Sequence, residues 1–268
     1  FLAGAMIVPL IAWKRNRLAW PFTTLVVALA AGISVYNVLR VMDLGKPIRY
    51  MMGGWQPFNG IEYVLDHLSA FVMLVINCIA LLVMFHAKNS VRRELPEKEM
   101  PYFGAALLML CGFNGIIITG DLFNLYVFLE VSSLSLYGLI AIGHKKSSVA
   151  AFRYLIMGTI AASFYLLGVG FLYMKTGSLN MGIVKDVLAQ AFSQGGDQTI
   201  LVALALMVLG MGIKMALFPL HNWLPDAYTY APTTTSAIVA PSGTKVASYV
   251  LIRVLFFVFG INFVTKTV

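Results

Sequence analysis

Three ionisable residues, Glu130, Lys214 and Lys245, lie deep inside long apolar runs. A charge at the centre of a bilayer costs about 2.5–3.5 kcal/mol on insertion scales. Glu130 falls about 13 Å along a helix that begins at Asp121. Lys214 and Lys245 are similarly deep, too far from either end to snorkel easily. Two readings are open. In the first, Glu130 and one lysine form a buried ion pair that fixes helix packing, which leaves the other lysine without a role. In the second, the three residues form a proton relay. A buried lysine without a partner is driven toward its neutral form, and a lysine that can be neutral or charged is a proton carrier. Glu130 would hold Lys214 charged, and Lys214 would release a proton toward Lys245 when that pairing loosens. Such a transfer needs water or a polar side chain in between.

The surrounding residues fit hydration without requiring it. Ser132, Ser133 and Ser135 follow Glu130, and Thr244 and Ser248 flank Lys245. Serine and threonine in membrane helices also bond to backbone or to a neighbouring helix. His221 lies beside Asn222 and Trp223, where a structural role fits as well as proton shuttling. Gly210, Gly212 and Pro219 weaken the helix around Lys214, and Pro241-Ser242-Gly243 precedes Lys245. Proline removes a backbone hydrogen bond, and irregular backbone within a membrane is tolerated where it lines a cavity or is buried in protein. Broken helices at the midplane are how transporters handle ions. The stretch Pro219–Pro232 is expected to be a loop anchored by Trp223, Tyr228 and Tyr230 and capped or braced by Asp226.

The elements that must position these residues follow from composition. Of 268 residues, 60% are hydrophobic and only 11% are charged, against roughly 25% in an ordinary soluble domain. Mean hydropathy is +0.85. These values exclude a soluble globular enzyme, a disordered chain and a nucleic-acid-binding module. Eight runs are expected to be transmembrane helices in an all-α polytopic membrane protein. Four carry no internal charge: Leu18–Leu39, His67–Ala87, Met100–Gly120 and Tyr154–Lys175. Three carry one each: Leu122–Gly143, Gln198–Pro225 and Ala227–Ile252. The eighth, Phe1–Trp13, covers only about 20 Å as helix and reads as an incomplete first span. A signal peptide would place its basic residues before the apolar part, whereas here Lys14, Arg15 and Arg17 follow it.

Connections after the first, third and fifth spans carry ten Lys and Arg, against five after the second, fourth and sixth. The positive-inside rule then places the N-terminus outside. The chain divides into residues 1–99, with three helices, and residues 100–268, with five. The net charge of +8 reflects this loop bias. Cys78 and Cys111 sit in apolar runs and form no disulfide framework or metal spacing. Phosphate-loop, dinucleotide, C-x-x-C and H-E-x-x-H motifs are absent, so no cofactor, metal, redox or hydrolytic site is expected in this chain.

The segment Gly120-Asp121-Leu122-Phe123-Asn124-Leu125-Tyr126-Val127-Phe128-Leu129-Glu130 resembles the fifth helix of the antiporter-like subunits. These are shared by Mrp-type multisubunit Na+/H+ antiporters, complex I and membrane-bound hydrogenases. Lys214 followed by Phe218-Pro219-Leu220-His221-Asn222-Trp223-Leu224-Pro225-Asp226-Ala227 is similar to the family's seventh helix and following loop. Thr244-Lys245-Val246-Ala247-Ser248-Tyr249 resembles its eighth. With Thr176-Gly177-Ser178-Leu179-Asn180-Met181, the wording looks most like the D-type member of the Mrp antiporters.

The resemblance implies that Glu130 and Lys214 are a charge pair and Lys245 a central relay residue. Asp121, Pro219, His221, Asp226 and Ser248 are secondary candidates. It implies a fold of about fourteen helices with two inverted five-helix repeats, of which this chain holds the first three helices and one repeat. This sequence departs from the family at Ala231-Pro232-Thr233-Thr234-Thr235-Ser236-Ala237, where relatives often carry a second proline near Thr234; the departure is expected to alter the loop and not the charges. The implied function is Na+/H+ exchange within a multisubunit complex in a prokaryotic cytoplasmic membrane. The alternatives are redox-driven proton pumping in a complex I-like or hydrogenase assembly, and a scaffold that moves no ions. Other membrane subunits, lipid, protons and, for the antiporter, Na+ are the expected partners.

Overall fold

The computed structural model describes every residue except 14, 145, 194–197, 262, 264 and 266–268. Lys14 and Lys145, two of the ten cations behind the expected orientation, lie outside the described residues. The chain runs α1 (Leu2–Ala12), α2 (Ala19–Leu44), β1 (Ile48–Met51), β2 (Glu62–Leu65), α3 (His67–Glu94), α4 (Glu99–Ile118) and α5 (Leu122–Ala141). It continues with α6 (Ser147–Thr176), α7 (Met181–Ser193), α8 (Gln198–Lys214), α9 (Trp223–Tyr230) and α10 (Thr233–Ile252). Among the described residues, six helical stretches are long and apolar enough to cross a membrane, and α1 and α8 are shorter apolar helices. Together these match the eight expected spans.

Helix starts and stops follow local chemistry. Asp66 caps α3 by accepting from the Ser69 amide at 2.9 Å, while the Ser69 hydroxyl accepts from the Asp66 amide. Asp121 caps α5 through the Asn124 amide at 2.7 Å. Side-chain oxygens thus take up amides that have no partner within the helix.

Three connections differ from expectation. Residues 40–66 contain a hairpin, with Ile48 opposite Leu65 and Met51 opposite Glu62. Residues 175–198 contain α7, whose buried Met181, Val184 and Leu188 recur at helical spacing but are too few for a span. The expected loop Pro219–Pro232 contains α9, where Pro225 sits in the first turn and its missing donor costs no intrahelical bond.

The loops after α2, α4 and α6 are stitched together at one end of the molecule. Gly120 donates to the Glu62 carbonyl, Leu122 to that of Leu179, and Met181 to that of Gly120, each at 2.8 Å. The Glu62 carboxylate, 2% exposed, accepts from Arg49 at 3.1 Å and Asn180 at 2.9 Å. Arg253 reaches Asp66 from the far end of α10. These four charges pair as Arg49–Glu62 and Arg253–Asp66, which offsets the cost of taking them out of water.

Within the helices, α6 packs on α8, α4 on α5 and α2 on α3, while α10 leans on α3 and α1 on α4. A polar knot joins α2, α3 and α4. Asn77 donates to Ser34 at 2.7 Å and to Asn114 at 2.9 Å, and Asn114 returns a bond to Asn77 at 3.0 Å.

The expected break at Pro241-Ser242-Gly243 is absent, because α10 runs through Pro241. Around the proline, side chains bond to nearby carbonyls: Ser242 donates to Ile238, and Lys245 Nζ to Ala240 at 3.0 Å. Membrane helices tolerate proline through such side-chain and local π adjustments, and α10 continues into a π-helical segment at Arg253–Gly260.

Candidate functional site

The seventh expected span breaks where its lysine sits. α8 ends at Lys214, and Ala216 takes a left-handed conformation with φ of 58° before α9 begins. A helix that ends in an apolar interior leaves carbonyls without partners. Here the Trp223 indole N–H returns to the Ile213 carbonyl at 2.9 Å. Met215 and Leu217 donate to Met211 and Gly212 at 2.8 and 2.9 Å. The Met211, Gly212 and Ile213 carbonyls at the break therefore have partners.

Lys214 is 7% exposed. Its amine donates to the Ser133 hydroxyl of α5 at 2.6 Å. Glu130 lies one turn earlier on α5 and acts electrostatically on Lys214. The two nevertheless form no ion pair within 4.0 Å. Glu130 Oε1 is buried and has no hydrogen-bond partner. The expected direct pair is thus replaced by Ser133, which stands on the same helix face three residues further along.

Two close approaches set this geometry. A Cβ on Gly210 would lie 2.6 Å from the Ala161 carbonyl oxygen, so only glycine lets α8 sit this near α6. A Cβ on Gly112 would lie 2.6 Å from the Ser132 Cβ, so α4 presses α5 in the same way. A cavity of about 30 Å³ opens beside Lys214, lined also by Ser132, Ser133, Tyr154, Gly243 and Thr244. That is room for water, and it reaches from the amine to α10. Tyr154 and Trp223 stack over it with ring centroids 4.3 Å apart.

Lys245 does not share this cavity. The inward stripe of α10 passes through Val239, Val246 and Val250, and Lys245 falls on the other side and is exposed. Its expected burial is corrected: the helix turns it to the outside of this chain. The structure brings Glu130, Ser133 and Lys214 together and leaves Lys245 apart.

The secondary candidates separate as well. Asp121 is a cap; its burial pushes the carboxyl above the usual carboxylate range, against the pull of the Asn124 and Phe123 amides. Asp226 pairs with Arg153 and braces α9 against α6. Ser248 donates to the Thr244 carbonyl at 2.9 Å, a bond within its own helix. Pro219 and His221 lie in the turn between α8 and α9, and His221 Nδ1 is buried without a partner. Among the described residues, no three His, Cys, Asp or Glu side chains gather as a metal site would require. Asp66, Arg253, Glu62 and Asn180, which form the polar end of the bundle, escaped the sequence reading. Of these only Asp66 carried a signal, an acid followed three residues later by Ser69, the pattern of a helix cap.

A bundle of apolar helices with a buried amine at an interrupted helix is a polytopic membrane protein with a polar interior site. Residues 119–268 match the family described as NADH:quinone oxidoreductase/Mrp antiporter, TM, and the chain belongs to that family. It is 44% identical over 246 residues to the N-type subunit of NADH-quinone oxidoreductase from Desulforudis audaxviator (strain MP104C), covering 90% of this chain and 48% of that protein. It is 35% identical over 234 residues to the D-type member of the Na(+)/H(+) antiporter from Bacillus subtilis (strain 168), covering 87% and 46%. A chain of the membrane-bound sulfane sulfur reductase, an archaeal respiratory membrane complex, superposes with a TM-score of 0.89 at 33% identity, over 99% of this chain and 54% of that one. The chain spans about half the length of the curated relatives it matches.

Proposed function

We propose that this chain carries a proton-translocating half-channel of an antiporter-like subunit in a multisubunit membrane complex. The observation that carries the reading is the Lys214 site itself. A buried amine at a broken helix end meets a neutral hydroxyl, a buried carboxylate oxygen without a partner lies one turn away, and a water-sized cavity leads toward α10. A purely structural ion pair would close Glu130 directly on Lys214. In this reading Lys214 is the proton carrier and Glu130 sets its charge. The cavity delivers the proton toward Thr244, and Lys245 receives it on the outer side of α10.

Two drivers fit the same site. Exchange against Na+ follows from the likeness to the Bacillus subtilis antiporter protein. Coupling to electron transfer follows from the higher identity to the Desulforudis audaxviator protein and the fit to the respiratory complex. Intact-mass and partner analysis of the native complex separates them: redox-cofactor subunits support the pump, and their absence supports the antiporter. The site is tested in vesicles holding the full complex, by dye-monitored proton uptake per assembled complex. Lys214→Ala and Lys245→Ala are each expected to assemble and to lose proton movement. Native transport by a well-assembled Lys214→Ala complex would sink the proposal.

A further inference from the structure

Ser132 and Ser135 spend their hydroxyls on carbonyls one turn back, at Leu129 and Val131. Ser133, between them and 4% exposed, makes no such bond; it accepts from Lys214 instead. We propose that Ser133 is a positioning residue: its hydroxyl, in place of the Glu130 carboxylate, holds the Lys214 amine at the cavity through both charge states of the lysine. This rests on the proton-carrier reading of Lys214.

The chemistry favours a hydroxyl for that task. An ammonium has three donors and no acceptor, while an ionised carboxylate is acceptor-only. A carboxylate therefore grips the charged lysine strongly and holds the neutral amine only by accepting an uncharged N–H, a weaker bond. A hydroxyl is both donor and acceptor. It accepts from the ammonium at 2.6 Å as seen, and it can donate to the lone pair of the neutral amine without either side chain moving. The carrier then faces the cavity before and after it gives up its proton. Glu130, one turn away, stabilises the charged state from a distance that does not lock it.

The groups that face Lys214 from each packed helix are few. On α5 they are Glu130 and Ser132, with Tyr137 lying against the Ser133 hydroxyl. Tyr154 comes from α6 and Tyr228 from α9, while α4 offers Phe113 and Ile116 and α10 offers Gly243 and Thr244. The hydroxyls of Tyr154, Tyr228 and Thr244 are neutral, so with the Ser133 hydroxyl removed the Glu130 carboxylate is a stronger acceptor than they are, and the amine is expected to swing toward it.

The test uses the full complex in vesicles, comparing Ser133→Ala, Ser133→Thr and Lys214→Ala, with proton uptake normalised to assembled complex across a pH series. Ser133→Ala is expected to slow uptake roughly ten- to a hundredfold, the range set by losing one hydrogen bond to a charged group. Its activity should also persist to higher pH, because an amine closed on a carboxylate keeps its proton longer. Ser133→Thr retains the hydroxyl and is expected to restore the native rate and pH profile. A Ser133→Ala complex with native rate and native profile, beside an inactive Lys214→Ala, would overturn the Ser133 role and leave the carrier reading standing. An active Lys214→Ala would overturn the carrier and the Ser133 role with it. Equal defects in Ala and Thr variants, with no shift of profile, would also overturn the Ser133 role.

Discussion

The tightest helix contact in the site makes a quantitative demand on one residue. A methyl at Gly210 would lie 2.6 Å from the Ala161 carbonyl oxygen and 2.9 Å from the Tyr165 nitrogen. Both are backbone atoms, so no side chain can rotate away. Ordinary contact begins at 3.4 Å, which requires α8 to move from α6 by about 0.8 Å in Gly210→Ala. Overpacking of this kind costs about 1–3 kcal/mol. Lys214 is one helical turn further along α8. A shift passed on whole would stretch its 2.6 Å bond to Ser133 to about 3.4 Å, beyond the usual range for N–H···O.

Gly210→Ala should therefore lower both the thermal stability of the purified complex and its proton uptake. Gly170→Ala, on α6 with nothing within 4 Å of the added carbon, is the control and should leave both unchanged. Heating scans monitored by loss of soluble complex, and vesicle uptake on the same preparations, measure the two effects. If Gly210→Ala matches the control in both, α8 is not held against α6 by this contact and the positioning argument fails.

Two further outcomes are expected. Burial raises the Asp66 carboxyl, but the Arg253 bond and the Ser69 contacts outweigh it and hold the group below the usual carboxylate range. A carboxyl so depressed stabilises the folded chain above the pH at which an unfolded aspartate ionises, about 3.9, and loses that effect as pH falls through its lower folded value. Asp66→Asn should cost about 1.5–3 kcal/mol at neutral pH, read as faster proteolysis around the hairpin. The gap from the native chain should close only in strong acid; a gap that is absent at pH 7 would refute it. Asp226→Asn should change stability by less than about 1 kcal/mol, because the Arg153–Asp226 pair is 64% and 35% exposed; loss of assembly in that variant would refute so small a contribution.

The spans were legible because apolar length is a one-dimensional property, and the break at Lys214 was legible because Gly210, Gly212 and Pro219 crowd one stretch. Pro241 misled by the same logic: whether proline breaks a membrane helix depends on the neighbours packed around it, and those are placed by the fold. The position of Lys245 along its span is a distance in sequence, but its azimuth is not, since only packing decides which face of α10 turns inward. Ser133 could be seen as a polar neighbour of Glu130 and not as the partner of Lys214, because that contact joins residues 81 positions apart. The hairpin and α7 were too short and too polar to register against the apolar runs around them.

Asn77 and Asn114 carry no charge, and their exchange of two bonds adds little strength; a hydrogen bond between membrane helices averages about 0.6 kcal/mol. Its consequence is one of alignment. Lipid offers no substitute partner, so sliding α3 along α4 by a single residue would break both Asn77–Asn114 bonds and the Asn77–Ser34 bond at once. The knot works as a key cut for one register, and it gives three otherwise smooth apolar cylinders a single way to fit as they assemble in the bilayer.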